Sequence, residues 1–278
     1  MISLVVPLKD LSSAKSRFVD AAPELRRRLA WSMFCDTVLT CAEVADLVVV
    51  VSDVPGVAAS LRQRGVRAVV VPDPGGLNSA FTAGASVTPV GGMVGCVMGD
   101  LPALTRAELV EIAVGASTHP RAFLADADGV GTTMLFSSAG LVDSGGSLDP
   151  RFDDACTRHG SAMRHLDSGA VALSRRQDQP GWPGARRDVD DPSSLIEAAR
   201  IGLGRHTRPL TDGRGRLGVL AELTVAEHRP DHELIMVTID GRLFRTSTTT
   251  AAGLHLRPGQ RCHAALDADH RRVLSIWL

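Results

Sequence analysis

Through roughly the first 200 residues, apolar runs of four to six positions alternate with longer stretches in which apolar residues recur at helical spacing. That is the pattern of an α/β sheet assembled from βα units. The expected strands are Ile2 to Val6, Leu47 to Val51, Ala68 to Val71, Met93 to Met98 and Ala122 to Ala125. Glu24 to Val44 reads as a long helix, and Val57 to Arg64 as a short one stopped by Gly65. Thr105, with Glu108 three residues on, forms a capping box ahead of Leu109, Ile112 and Ala113. After Thr133 the pattern loosens. Residues 137–150 are rich in Ser and Gly; a helical stretch through His165, a strand at Val171 to Leu173 and a further βα unit from Asp188 to Ala199 follow, with Asp191 placed as a helix cap.

Residues 204–216, GRHTRPLTDGRGR, have no apolar period and hold four arginines, three glycines and a proline, which reads as a linker. Beyond it the period changes to two: Leu217 to Val225, Glu233 to Ile239, Arg242 to Ser247, Arg261 to Leu266 and Arg271 to Ile276, with Asp240-Gly241 as a tight hairpin signal. Five short strands predict a small closed barrel or sandwich. The chain therefore divides into a first domain over 1–203, a linker over 204–216 and a small all-β domain over 217–278.

Composition narrows the function. A formal net charge of -1 over 278 residues gives no surface for wrapping a polyphosphate, so nucleic acid is disfavoured as the main partner and phosphate chemistry must depend on a local cluster. The five cysteines include no C-x-x-C pair, as expected of a reducing cytoplasm. The start, MISLVVPLKD, shows no basic leader or cleavage site, and no apolar stretch approaches a membrane span, so a cytosolic protein without a membrane partner is expected. Of the 30 basic residues only two are lysines, Lys9 and Lys15, and both lie in the loop after the first strand. In a chain so biased to arginine, a retained lysine suggests a site that wants a compact ammonium.

That loop, VPLKDLSSAKSRF from Val6 to Phe18, leaves the carboxyl end of the first strand, where open α/β sheets bind ligands. Small residues Ser12, Ser13 and Ala14 would let backbone N–H groups approach phosphate oxygens while Lys9, Lys15 and Arg17 neutralise them. The spacing is neither a Walker loop nor G-x-G-x-x-G, and a solvated basic turn is the alternative. Met98-Gly99-Asp100-Leu101-Pro102 puts a carboxylate at the same sheet edge, either a Mg²⁺ ligand or a turn-forming Asp. In Arg186-Arg187-Asp188-Val189-Asp190-Asp191-Pro192, an extended backbone points Asp188 and Asp190 to one side. A bound cation would explain so close a like-charged pair, with a solvated acidic turn as the alternative. Gly129 to Thr133 (GVGTT) and Gly160 to His165 (GSAMRH) suit a small anionic acceptor, with Thr132, Ser161, Arg164 and His165 as its candidate contacts.

In their order, VPLKDLSSAKSRF, GLNSA, GDLPALT, DGVGTT, GSAMRH and RRDVDDP resemble the guanylyltransferase family that activates 2-phospho-L-lactate or phosphoenolpyruvate in the biosynthesis of the deazaflavin coenzyme F-420, across residues 1 to about 203. The resemblance implies a nucleotide-diphosphosugar-transferase-like fold, a mixed sheet with helices on both faces. It also implies GTP as donor, with Asn78 of GLNSA near the base, a small phosphorylated acid as acceptor on Thr132 and Ser161, and two Mg²⁺ ions on Asp100, Asp188 and Asp190. Such an enzyme would hand its product to a downstream transferase, and a homodimer is compatible with it. Two features depart from the family: Thr157-Arg158 stands where a Phe-Gly pair is usual, and the 137–150 segment is longer, which bears on the acceptor. The terminal strands fall outside the resemblance. The rival readings are a nucleotidyltransferase for another phosphorylated acceptor, such as a sugar phosphate or a molybdopterin-type cofactor, and a non-catalytic nucleotide-binding regulator.

Overall fold

The computed structural model describes residues 1–138, 160–174, 181–229, 231–251 and 254–278. The segment holding Arg158 and most of 137–150 lies outside these residues.

In chain order the first body contains β1 (Ile2–Pro7), α1 (Pro23–Ala42), β2 (Leu47–Val51), α2 (Val57–Gln63), β3 (Ala68–Val71), α3 (Leu77–Ser86), β4 (Met93–Val97), α4 (Arg106–Ser117), β5 (Arg121–Ala125), β6 (Thr132–Ser137), α5 (Ser161–Asp167), β7 (Val171–Ala172), α6 (Pro183–Arg186) and α7 (Pro192–Ile201). The strands form one sheet in the order β3-β2-β1-β4-β6-β5-β7. β2, β1 and β4 are parallel, and β6 runs antiparallel between β4 and β5. Alternation along β1 feeds both faces. Leu4 and Val6 pack with Phe34 and Val38 of α1, Leu61 of α2 and Ile112 of α4, whereas Val5 packs with Ala80 and Phe81 of α3 and Ala162 of α5.

Three elements differ from the sequence reading. GVGTT reads as a Gly-rich turn, yet Thr132 and Thr133 open β6, whose six positions are all buried. A strand covered on both sides has no polar alternation to betray it. α3 carries mostly small residues, and Gly84 explains its close docking: a Cβ there would stand 2.2 Å from a Val5 methyl. The stretch from Asp188 to Asp190, expected as the strand of a βα unit running to Ala199, is extended but unpaired as a strand; it comes just after the short α6, and its Val189 N–H donates to the Asp100 carbonyl at 3.1 Å. The predicted caps form as full capping boxes, Thr105 with Glu108 and Asp191 with Ser194.

Residues 204–211 lie along α1. The Asp36 carboxylate accepts from the His206 and Thr207 N–H groups, both at 2.9 Å. A Cβ at Gly204 would stand 2.3 Å from that carboxyl carbon, so only glycine lets the segment approach. The second body is an antiparallel sheet of β8 (Val219–His228), β9 (Glu233–Val237), β10 (Leu243–Ser247), β11 (Arg261–Leu266) and β12 (Val273–Trp277), in the order β10-β9-β8-β11-β12. Its outer strands β10 and β12 curl to within 8 Å of one another, Cα to Cα. Ala265 and Trp277 from this sheet join Leu25, Leu29 and Met33 of α1 in one buried cluster.

Candidate active site

β1 has β2 on one side and β4 on the other, so the chain reverses its direction of winding between β1 and β4. The loops after those two strands must diverge, and the crevice between them is where open α/β sheets hold ligands. Gly99 permits the narrow end of it, since a Cβ would stand 2.8 Å from the Pro7 carbonyl oxygen. The resulting cavity, of about 310 Å³, is lined by Lys9, Lys15, Leu77, Gly99, Asp100 and Asp190 among others.

Asp10 caps a single 3-10 turn, Leu11–Ser13, accepting from the Ser12 N–H at 3.0 Å. The chain then enters the left-handed region at Lys15, φ 53°. Few non-glycine residues adopt that conformation, and it tends to persist where the surroundings fix it. Here the Lys15 ammonium lies 2.6 Å from Asp100 Oδ2 and 3.3 Å from Asp190 Oδ1, with only 10% of its side chain exposed. Burial alone would lower the lysine's pKa, but Asp100 and Asp190 outweigh it and the pKa is raised. Arg17, largely exposed, reaches Asp190 Oδ2 at 3.1 Å, while Lys9 is exposed on the cavity wall.

Two carboxylates therefore meet on one ammonium, and Asp188 lies near enough to feel the charge of both. Burial, then Asp100, Asp190 and Asp126, push the Asp188 carboxyl up to about 7. Asp100 Oδ1 is buried without a hydrogen-bond partner among the described residues. An orphaned carboxylate oxygen beside a second carboxylate held against its own charge fits a divalent ion that takes one or two carboxylates and fills its other positions with phosphate and water oxygens. Among the described residues no set of three His, Cys, Asp or Glu side chains is gathered at metal-binding spacing. Lys15 stands between Asp100 and Asp190 instead.

The acceptor-side candidates form a second group. Ser161 Oγ donates to Thr132 Oγ1 at 3.0 Å, at the start of α5 and of β6. Gly160 makes this possible, because a Cβ would fall 2.0 Å from the Val130 carbonyl oxygen. Met98 N–H donates to the Thr133 carbonyl at 2.9 Å, tying this group to the strand that ends in Gly99-Asp100. Arg164 is half-buried on α5. His165 is fully buried with its ring against Phe123, 5.4 Å between centroids, so its side chain belongs to the core rather than to the cleft surface. Asn78 sits in the first turn of α3 next to Leu77 of the cavity wall.

Two residues escaped the sequence reading. The Asp126 carboxylate accepts from Val130 N–H at 2.9 Å and Gly131 N–H at 2.7 Å, shaping the turn before Thr132. An Asp placed a few residues ahead of Gly-x-Gly is a recognisable turn signal. Arg186 donates to the carbonyls of Ala125, Leu173 and Gly181 at 2.8 to 2.9 Å, clamping the segment that leads to Asp188. No local pattern announces that role.

The mixed sheet, with its cleft at the β1/β4 switch point, has a nucleotide-diphospho-sugar-transferase-like fold. A putative nucleotide-diphospho-sugar transferase from Desulfovibrio desulfuricans G20 shares the fold, with a TM-score of 0.50 and 15% identity over 72% of this chain and 86% of that one. More narrowly, the chain belongs to the guanylyl transferase CofC-like family, whose model matches residues 2–143. Phosphoenolpyruvate guanylyltransferases from Geodermatophilus obscurus and Salinispora arenicola are 39% and 42% identical to it. The first match covers 77% of this chain and 95% of that relative, the second 74% and 91%.

Proposed function

We propose that the chain transfers GMP from GTP to phosphoenolpyruvate, releasing pyrophosphate, as the activating step toward coenzyme F-420, and that it works in the cytoplasm and hands its product to a downstream transferase. The observation that carries this reading is the buried Lys15 ammonium held between Asp100 and Asp190 at the β1/β4 switch point. Family membership and the names of the relatives supply the choice of nucleotide and acceptor.

Lys9, Lys15 and Arg17 surround the place where the triphosphate of the donor would lie, and they neutralise the charge that develops on the departing pyrophosphate. Asn78, at the head of α3, is placed for the base. Thr132, Ser161 and Arg164 hold the acceptor, orienting one of its phosphate oxygens toward the α-phosphorus of GTP. That phosphate is largely ionised at pH 7, its second pKa being about 6, so the attack requires no protein base. The oxygen forms the new P–O bond as the bond to pyrophosphate breaks, and positioning plus charge neutralisation provide the acceleration. Asp100, Asp188 and Asp190 are the residues that would hold Mg²⁺, which when bound supplies Lewis-acid charge neutralisation on the phosphates.

The test is a pyrophosphate-release assay with GTP and a panel of phosphoenolpyruvate, 2-phospho-L-lactate, sugar phosphates and nucleotides, with and without Mg²⁺. Turnover with phosphoenolpyruvate well above every other acceptor is expected. Turnover with a different acceptor alone would replace phosphoenolpyruvate by that compound, and Mg²⁺-GTP binding with no pyrophosphate from any acceptor would make the chain a nucleotide-binding regulator.

A further inference from the structure

A second cavity, of about 500 Å³, opens on the far side of α1 where the two bodies meet. Arg28 from α1, Arg64 just past α2, His206 from the 204–211 segment and Trp277 from β12 line it. Among the described residues Arg28 makes no hydrogen bond or ion pair; its guanidinium lies over the Trp277 ring, 5.4 Å from the centroid, and its Nε is buried without a partner there. Arg64 is anchored through Nη1 to the Ser60 carbonyl and hydroxyl, both at 2.8 Å, and lies over Trp31, yet its Nε is also buried with no partner among the described residues. Arg205 approaches as well, its Nε donating to His206 Nε2 at 3.3 Å.

The nearby carboxylates Glu24 and Asp36 favour the charges of Arg28 and Arg205 from a distance, but neither forms an ion pair with Arg28, Arg64 or Arg205 among the described residues. Glu24 is paired with Arg27, and Asp36 is spent on two backbone N–H groups. The cations therefore face one another without a paired carboxylate between them. Burial, with Arg64 beside it, holds Arg28 below its ordinary pKa, and burial with Arg205, Arg64 and Arg28 pushes His206 down to about 4. Burying guanidinium N–H groups with no acceptor is costly, and a bound anion removes that cost. Planar guanidinium forks match phosphate geometry, and the volume exceeds what inorganic phosphate alone would fill.

We propose that this cavity is a binding site for a small phosphorylated anion, held by Arg28, Arg64 and Arg205 and separate from the catalytic cleft. The site does not depend on which reaction the cleft performs.

Calorimetric titration with pyrophosphate in Mg²⁺-free buffer at constant ionic strength tests this, with chloride as the control. A Lys15→Met background weakens the phosphate grip of the cleft, where Lys9 and Arg17 remain, so the assignment to this cavity is read from the Arg28 and Arg64 variants. One pyrophosphate per chain is expected, with affinity at least tenfold weaker in Arg28→Met and in Arg64→Met and partly restored in Arg64→Lys. Melting curves check that each variant is folded, and Arg205→Glu, at an exposed position, gives a several-fold loss should either core variant misfold. No binding beyond the chloride control in the Lys15→Met parent would overturn the proposal, and so would affinity unchanged across the folded variants.

Discussion

At the residue scale the cleft stores its tension in Asp188. Its carboxylate is disfavoured by burial and by three neighbouring acids, so the free protein tolerates a negative charge there rather than being stabilised by it. Asp188→Asn should therefore separate function from stability. Turnover in the pyrophosphate-release assay should fall by roughly two or more orders of magnitude, since a charge placed for the transition state is lost. The metal-free variant should melt at or a few degrees above the parent, and added Mg²⁺ should raise the parent's melting temperature but not the variant's. Near-normal activity in the variant would reject the metal assignment. The carboxylates themselves were legible in the sequence, because Gly-Asp at a strand end and Asp-x-Asp before a cap are local patterns. What escaped was Lys15 standing between Asp100 and Asp190, which depends on a left-handed backbone turn and on residues 85 and 175 positions away. His165 illustrates the converse: on a helix of seven residues, sequence does not tell which side faces the core.

Elements were legible where their signals are local and obscure where packing decides. The Thr105 and Asp191 caps, the Val-rich strands and the turn at Asp240-Gly241 all carry short-range signals that the structure repeats. α3 and β6 do not, because Gly84 against Val5 and burial on both faces of β6 are products of the assembled sheet. The same holds for α1, whose Asp36 looks like an ordinary helix acid but ends up 6% exposed, holding the 204–211 segment. Burial raises the Asp36 pKa even though the His206 and Thr207 N–H groups favour its charged form. Asp36→Ala would strand those two buried donors, at about 1–3 kcal/mol each. Denaturant titration should show the midpoint shifted down by that order with the slope nearly constant. An unchanged midpoint would mean that water takes over both N–H groups, and that the segment is not held through this carboxylate.

For the whole molecule, pH enters through His165. Burial, with Arg121 and Arg164 near it, pushes its pKa from 6.5 to about 4. Between those values the unfolded chain binds a proton that the folded one refuses, so this group's contribution to stability is complete above about pH 6.5 and is lost as pH falls toward 4. Other groups titrate in the same range, and a difference measurement isolates this one. His165→Phe carries a fixed packing change but no proton, so the parent's stability relative to it should decline on going from pH 7.5 to pH 4.5. A pH-independent difference would show that His165 is not held neutral.

The two bodies meet along α1, which is why composition alone reads 204–216 as a linker although Thr207, Leu210 and Thr211 are buried. α1 presents Phe34 to the cleft side and Leu25 and Leu29 to Trp277 and Ala265 of the terminal sheet. Apolar residues exposed to water cost roughly 25 cal/mol per Å², so a helix covered on both sides is compromised when either cover is removed. A chain ending at Arg216 would bare Leu25, Leu29 and Phe18, each no more than 2% exposed in the whole protein. It should melt well below the full chain and expose surface to a hydrophobic dye, with its guanylyl transfer falling in step because Lys15 and α1 share one scaffold. A truncated chain with an unchanged melting temperature would show that the first body folds independently of the sheet packed on α1. If such a chain also kept full turnover, the terminal sheet would contribute nothing to the active site through that helix.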